Sequence, residues 1–287
     1  MIKSYFMQGY WTRLFRWFVL FCFLLRVPMS FADTNNKVLL WSQEFSEFQG
    51  SPPSDQYWRS ALGSDGANGE KQYYLPEAAS TNGKGNLVLT ASRQYRSDYS
   101  CYYGACEWTS ARYDTLGKVN MQYGLVEARI DVPIGAGTWP AFWLLGANYT
   151  KVGWPNCGEI DIAEWMGATP HQVLATVHFA GRFGEHLFKQ KILDRMPSLA
   201  AGFHTYGVLW LPDEISWFID GVQYFTVQRS DLAPSEWAFN QPMILVINLA
   251  MGGALGGQIE PSLKKAHYTI DWIRYYQVNG YGKVAFY

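Results

Sequence analysis

From Val38 to Gln277 the sequence is broken into short apolar or alternating runs with Gly, Asn, Asp or Pro between them, and helical periodicity is nearly absent. This rhythm restricts the fold most, because strand-length runs separated by turn formers cannot build a helical bundle or a helix-covered parallel sheet. The runs are Val38 to Phe45, Asn86 to Ala91, Leu125 to Val132, Trp139 to Leu145, Glu159 to Trp165, Val173 to Phe179, His204 to Leu211, Glu214 to Ile219, Val222 to Val227, Met243 to Ala250 and Tyr268 to Gln277. Asp220-Gly221, between two of them, predicts a tight hairpin whose central residues both take positive φ. Only Pro234 to Phe239 suggests a short helix, and Ser92 to Thr109 and Gly181 to Phe203 read as loops. The pattern predicts one all-β domain of two packed antiparallel sheets, a β-sandwich. An aromatic share of 17% fits strands better than helices.

The N-terminus has a different character. Lys3, Arg13 and Arg16 precede the apolar run Trp17 to Leu25, and Ser30-Phe31-Ala32 puts small residues three and one before a cleavage point. That is the layout of a secretory signal peptide over residues 1–32, leaving 33–287 as a single domain. The apolar run is far short of the roughly 20 residues that span a bilayer as a helix. Residues 1–32 also hold four of the 23 basic residues and no acid, so the remainder carries 19 basic against 24 acidic residues. Such a chain has no cationic field for nucleic acid, and after cleavage nothing predicts a membrane partner. The expected product is a secreted monomer, extracellular or periplasmic. Cys101 and Cys106 bracket Tyr-Tyr-Gly-Ala and are either a small disulfide or two free thiols, while Cys157 reads as a packed thiol.

Chemistry concentrates in Gly158-Glu159-Ile160-Asp161-Ile162-Ala163-Glu164-Trp165. Alternation puts Glu159 and Asp161 on one face, and Glu164, at an odd offset from Glu159, on the other unless a β-bulge near Ala163 returns it. Three carboxylates on one face would suit glycoside hydrolysis, which needs one ionised carboxylate and one that holds a proton. Their mutual repulsion separates the pKa values in that sense. A half-exposed strand with solvated acids would show the same alternation. Trp139 and Trp143 share a face of their own strand with only Ala141 between them, a platform for sugar rings or part of an aromatic core. Trp154 and Trp165 flank the acidic strand, and His178 lies on a candidate neighbouring strand.

These residues resemble glycoside hydrolase family 16 in its bulged form. The likeness extends, in the family's order, through Glu44-Phe45, Gln72-Tyr73-Tyr74, Gly85 to Ala91, Tyr123-Gly124 with Glu127-Ala128-Arg129, Trp139 to Trp143, His204-Thr205-Tyr206, Trp217 to Gly221, Asn248-Leu249-Ala250 and Asp271-Trp272-Ile273-Arg274. The resemblance implies a β-jelly-roll whose concave sheet forms an open cleft for a β-linked polysaccharide, cleaved with retention and without a cofactor. Glu159 is then the nucleophile, Glu164 the acid and base, and Asp161 the group that orients Glu159. Trp139, Trp143 and Trp154 match cleft tryptophans, His178 a histidine near the acid, and Arg129 an arginine for sugar hydroxyls. Glu44 and Asp271 fall where family members hold a structural calcium.

Within the family the Trp-Pro-Asn-Cys-Gly and Trp-Pro-Ala-Phe-Trp segments look most like laminarinases, endo-enzymes on β-1,3-glucans. Those enzymes usually carry a basic residue where this chain has Leu125, which implies one hydrogen-bond donor fewer in the cleft. The alternatives are an agarase- or carrageenase-like galactan hydrolase, or a non-catalytic β-glucan-binding protein, a class that typically lacks the two glutamates present here.

Overall fold

Each predicted run is a strand in the computed structural model, which describes residues 36–194 and 199–287. The leader expected over residues 1–32 lies outside the described residues. Ten strands form one sheet and nine the other, almost entirely antiparallel, with Gln72–Tyr74 running parallel to Gly104–Ser110. The two sheets close on one apolar core because alternate residues of each strand face inward. Val126, Ala128 and Ile130 enter it from the ten-stranded sheet, and Phe142, Leu144, Ile247 and Leu249 from the nine-stranded sheet. The outer face of the nine-stranded sheet is left to build a site.

Turn chemistry follows the sequence where backbone conformation demands it. Asp220 and Gly221 both have positive φ, +50° and +76°, and join Glu214–Ile219 to Val222–Gln228. Three expectations are corrected. Pro234 to Phe239 forms turns and no helix, because Trp237 and Phe239 are drawn into packing against each other. Ser92 to Thr109 is mostly a hairpin, the continuation of Leu87–Cys101 turning into Gly104–Ser110 and tied by a Cys101–Cys106 disulfide. Gly181 to Phe203 contains the strand His186–Asp194, which ends the nine-stranded sheet. Most of its residues are exposed, so solvent rather than a core sets its composition and the apolar alternation is lost.

Candidate active site

The strand Glu159–Glu164 runs between Thr138–Gly146 and Gln172–Ala180. Asp161 stands opposite Trp143 and Thr176, yet Glu164 stands opposite Ala141 and Leu174, so three steps on this strand match two on each neighbour. The extra residue is a β-bulge at Ile162 and Ala163. Both of these side chains enter the core, and Glu164 returns to the face of Glu159 and Asp161. From the opposite sheet, the buried Trp217 fixes the start of the bulge by donating its indole N–H to the Asp161 carbonyl at 2.8 Å. All three acids line one pocket with Trp139, Trp143 and Trp154.

Each glutamate has its own tryptophan donor. Trp139 Nε1 donates to Glu164 Oε1 at 3.0 Å, and Trp154 Nε1 to Glu159 Oε2 at 3.1 Å. His178 lies across from Glu159 in the ladder, and its Nε2 is 3.1 Å from Asp161 Oδ2 and 3.8 Å from Glu159 Oε1. The third tryptophan is clamped. Trp143 Nε1 donates to Asn248 Oδ1 at 2.8 Å while the Arg112 guanidinium sits 5.0 Å above its ring. Trp154 is 48% exposed and so offers ring area to a ligand, whereas Trp139 is 8% exposed and mostly offers its N–H to Glu164.

Burial and repulsion keep this cluster from ionising fully. Desolvation, and after it the Asp161 charge, pushes Glu164 up to about 8 despite the opposing bond from Trp139. Desolvation followed by Asp161 raises Glu159 well above the usual carboxylate range, and desolvation raises Asp161. Glu159 and Asp161 therefore act as a pair with room for one negative charge, next to a Glu164 that holds its proton at neutral pH.

A separated proton donor and carboxylate beside an exposed indole ring is what a glycosidase requires, and the sequence comparisons agree. Residues 70–274 match the model of glycosyl hydrolases family 16. The chain belongs to glycosyl hydrolase family 16. It is 34% identical to a beta-glucanase of Rhodothermus marinus over 268 residues, covering 88% of this chain and 91% of that protein. Among solved structures, the laminarinase catalytic domain of Thermotoga maritima superposes with a TM-score of 0.75 at 34% identity, covering 84% of this chain and 98% of that one. The endo-beta-1,3-glucanase of Pyrococcus furiosus gives 0.76 at 35%, covering 84% and 95%. The sandwich is thus the family's jelly roll, and the protein is a glycoside hydrolase similar to beta-glucanases.

Set against this family 16 site, several expectations change. Arg129 is not in the cleft. Its strand Gly124–Asp131 belongs to the ten-stranded sheet with Val126, Ala128 and Ile130 in the core, so Leu125, Glu127 and Arg129 face outward on the other side of the molecule. There Arg129 pairs with Asp271 and covers the Phe203 ring. Leu125 shares that distant face, so the missing basic residue takes nothing from the cleft. Trp165 is a core residue packed on Tyr206 at 4.7 Å. His178 meets Asp161 and Glu159 directly and lies close enough to Glu164 for its charge to act on that carboxyl. Glu44, one of the two residues expected at calcium, accepts two hydrogen bonds from Arg274, and Asp271, the other, accepts from Arg129 and Asn86.

Four further residues escaped the sequence reading. Glu70 lines the pocket, takes hydrogen bonds from Gln72 at 2.6 Å and Tyr74 at 3.1 Å, and is raised by burial. It arrives from a Gly-Glu-Lys turn that carries no periodic signal. Arg112 and Asn248 hold Trp143 from the neighbouring strands Arg112–Asp114 and Met243–Met251, and only the Asn248-Leu249-Ala250 segment hinted at either. His186, on the strand misread as a loop, places its Nε2 2.7 Å from His178 Nδ1 and its ring 4.4 Å from that of Trp154.

Proposed function

We propose that this chain is an exported endo-1,3-β-glucanase that hydrolyses laminarin-type glucans by a retaining double displacement. The observation that carries the reading is the bulged strand, with Glu159 and Glu164 on one face, a tryptophan N–H on each, and Asp161 between them. The single charge of the Glu159–Asp161 pair is best held on Glu159, where the Trp154 N–H stabilises it, with the proton on Asp161. Glu159 attacks the anomeric carbon to form a glycosyl ester. The bond to the leaving sugar oxygen breaks as Glu164 gives that oxygen its proton. Water then attacks the same carbon, losing a proton to Glu164, and the bond to Glu159 breaks.

The β-1,3 preference rests on the relatives named as laminarinases and endo-1,3-glucanases. Export is supported by the leader-like residues 1–32 and by the Cys101–Cys106 disulfide, which suits an oxidising compartment. Release of reducing ends from laminarin tests the roles. Glu159→Gln is expected to abolish release. Glu164→Gln is expected to cost about 10²- to 10⁴-fold on laminarin yet spare aryl glycosides whose leaving group needs no proton. Normal activity in both variants would sink the assignment.

A further inference from the structure

We propose that Glu159, Asp161 and His178 form a binding site for a zinc-like divalent ion. Each offers one donor atom, and the three atoms lie within 4.8 Å of one another. His178 Nε2 is 3.1 Å from Asp161 Oδ2 and 3.8 Å from Glu159 Oε1. Tetrahedral ligands at zinc distances of about 2.0 to 2.2 Å stand roughly 3.3 to 3.6 Å apart, so small side-chain shifts would bring these atoms onto one ion. The pocket leaves the fourth position to water or to a sugar hydroxyl.

A second observation singles out this cluster from an ordinary group of acids. Asp161 Oδ2 is buried, with its side chain 4% exposed, and accepts no hydrogen bond. Although the His178 ring nitrogen approaches it, its direction does not complete one. Sealed from water and without a hydrogen-bond partner, this oxygen would gain one from a cation, which displaces the proton that the Glu159–Asp161 pair otherwise holds. The surroundings also match the outer shell of a metal centre. His178 Nδ1 is held by His186 Nε2 at 2.7 Å, which fixes the ring with Nε2 toward the carboxylates, and Trp154 orients Glu159 through its other oxygen. One imidazole with two carboxylates suits zinc better than magnesium, which prefers an all-oxygen shell with several waters.

Zinc held there would engage the atom that attacks the sugar and exclude glucan from the cluster. That inhibitory consequence rests on the function proposed above, whereas the binding itself does not. Calorimetric titration of the purified chain with zinc at neutral pH is expected to show one ion per chain. Asp161→Asn and Glu159→Gln, each retaining the wild-type circular dichroism spectrum, are expected to weaken it at least about tenfold. His186→Phe, which removes only the outer support of His178, is expected to weaken it about 10- to 100-fold. Absence of binding, or unchanged affinity in the folded Asp161 and Glu159 variants, overturns the site. A chain that binds zinc but, assayed free of metal, leaves laminarin intact keeps the site and sinks the glucanase reading, while one that cleaves laminarin without binding zinc does the reverse.

Discussion

In the proposed mechanism Glu164 is the acid, a role that its pocket favours by opposing ionisation at neutral pH, and the consequence can be read in a pH profile. Its carboxyl is pushed up to about 8, first by burial and then by the Asp161 charge, so kcat/KM on laminarin is expected to fall as pH rises through about 8. Trp139→Phe removes the N–H that favours the ionised form. The carboxyl should then titrate higher still, moving the alkaline limb upward in pH, and an unmoved limb would show that Trp139 has no electrostatic effect on the acid. At this scale the sequence was most legible where the argument was local. Glu159, Asp161 and Glu164 share one strand, so alternation and one extra residue suffice to bring them together. Arg129 shows what alternation lacks: it tells which face a residue takes on its strand, but not which sheet the strand joins. Glu70 reaches the pocket from a turn, where no period exists to read.

Among the elements, the hairpin Leu87–Cys101 and Gly104–Ser110 has a role that its sequence conceals. Its tip holds the turn that carries Glu70. Tyr102 Oη donates to the Gly69 carbonyl at 3.1 Å, Tyr103 Oη to that of Lys71 at 2.7 Å, and the Lys71 ammonium lies over both rings. Cutting the disulfide with Cys101→Ser is expected to cost about 2 kcal/mol in unfolding free energy, the scale for closing so short a loop. With the turn less firmly held, KM on laminarin should rise while kcat changes little. Denaturant unfolding and steady-state kinetics check the two parts, and a fall in kcat at constant KM would contradict this role. In the sequence the hairpin and the strand His186–Asp194 both read as loops for a shared reason. Much of their surface meets water, so the alternation that marks a core-facing strand is diluted by polar residues and exposed tyrosines.

For the whole molecule, the acid cluster links catalysis to stability. The folded pKa values of Glu159, Asp161 and Glu164 are raised, so between the ordinary carboxylate range and the folded values the native state holds more protons than the unfolded chain. Stability is then fully present below about pH 4 and is lost as pH rises toward about 8, the opposite of a salt-bridged carboxylate. For Glu164 alone the slope is roughly 1 kcal/mol per pH unit across that window. Melting temperatures should therefore be higher near pH 5 than near pH 8, and Glu164→Gln, which removes one titrating group, should flatten the difference. A wild-type Tm that rises over the same interval would contradict the account. The two-sheet architecture itself was legible throughout, because spaced apolar runs dictate strands and paired apolar faces dictate a sandwich. The pairing order of the strands, which decides what shares the cleft, depends on contacts distant in sequence and was not.

The central claim, that Glu159 and Glu164 cleave a β-1,3-glucan through a glycosyl-enzyme, is tested most directly by proton NMR of laminarin during the first minutes of reaction. The account predicts new reducing ends that appear first as the β-anomer and only later equilibrate to the α form. Initial appearance of the α-anomer, or no new reducing ends from laminarin, would contradict it.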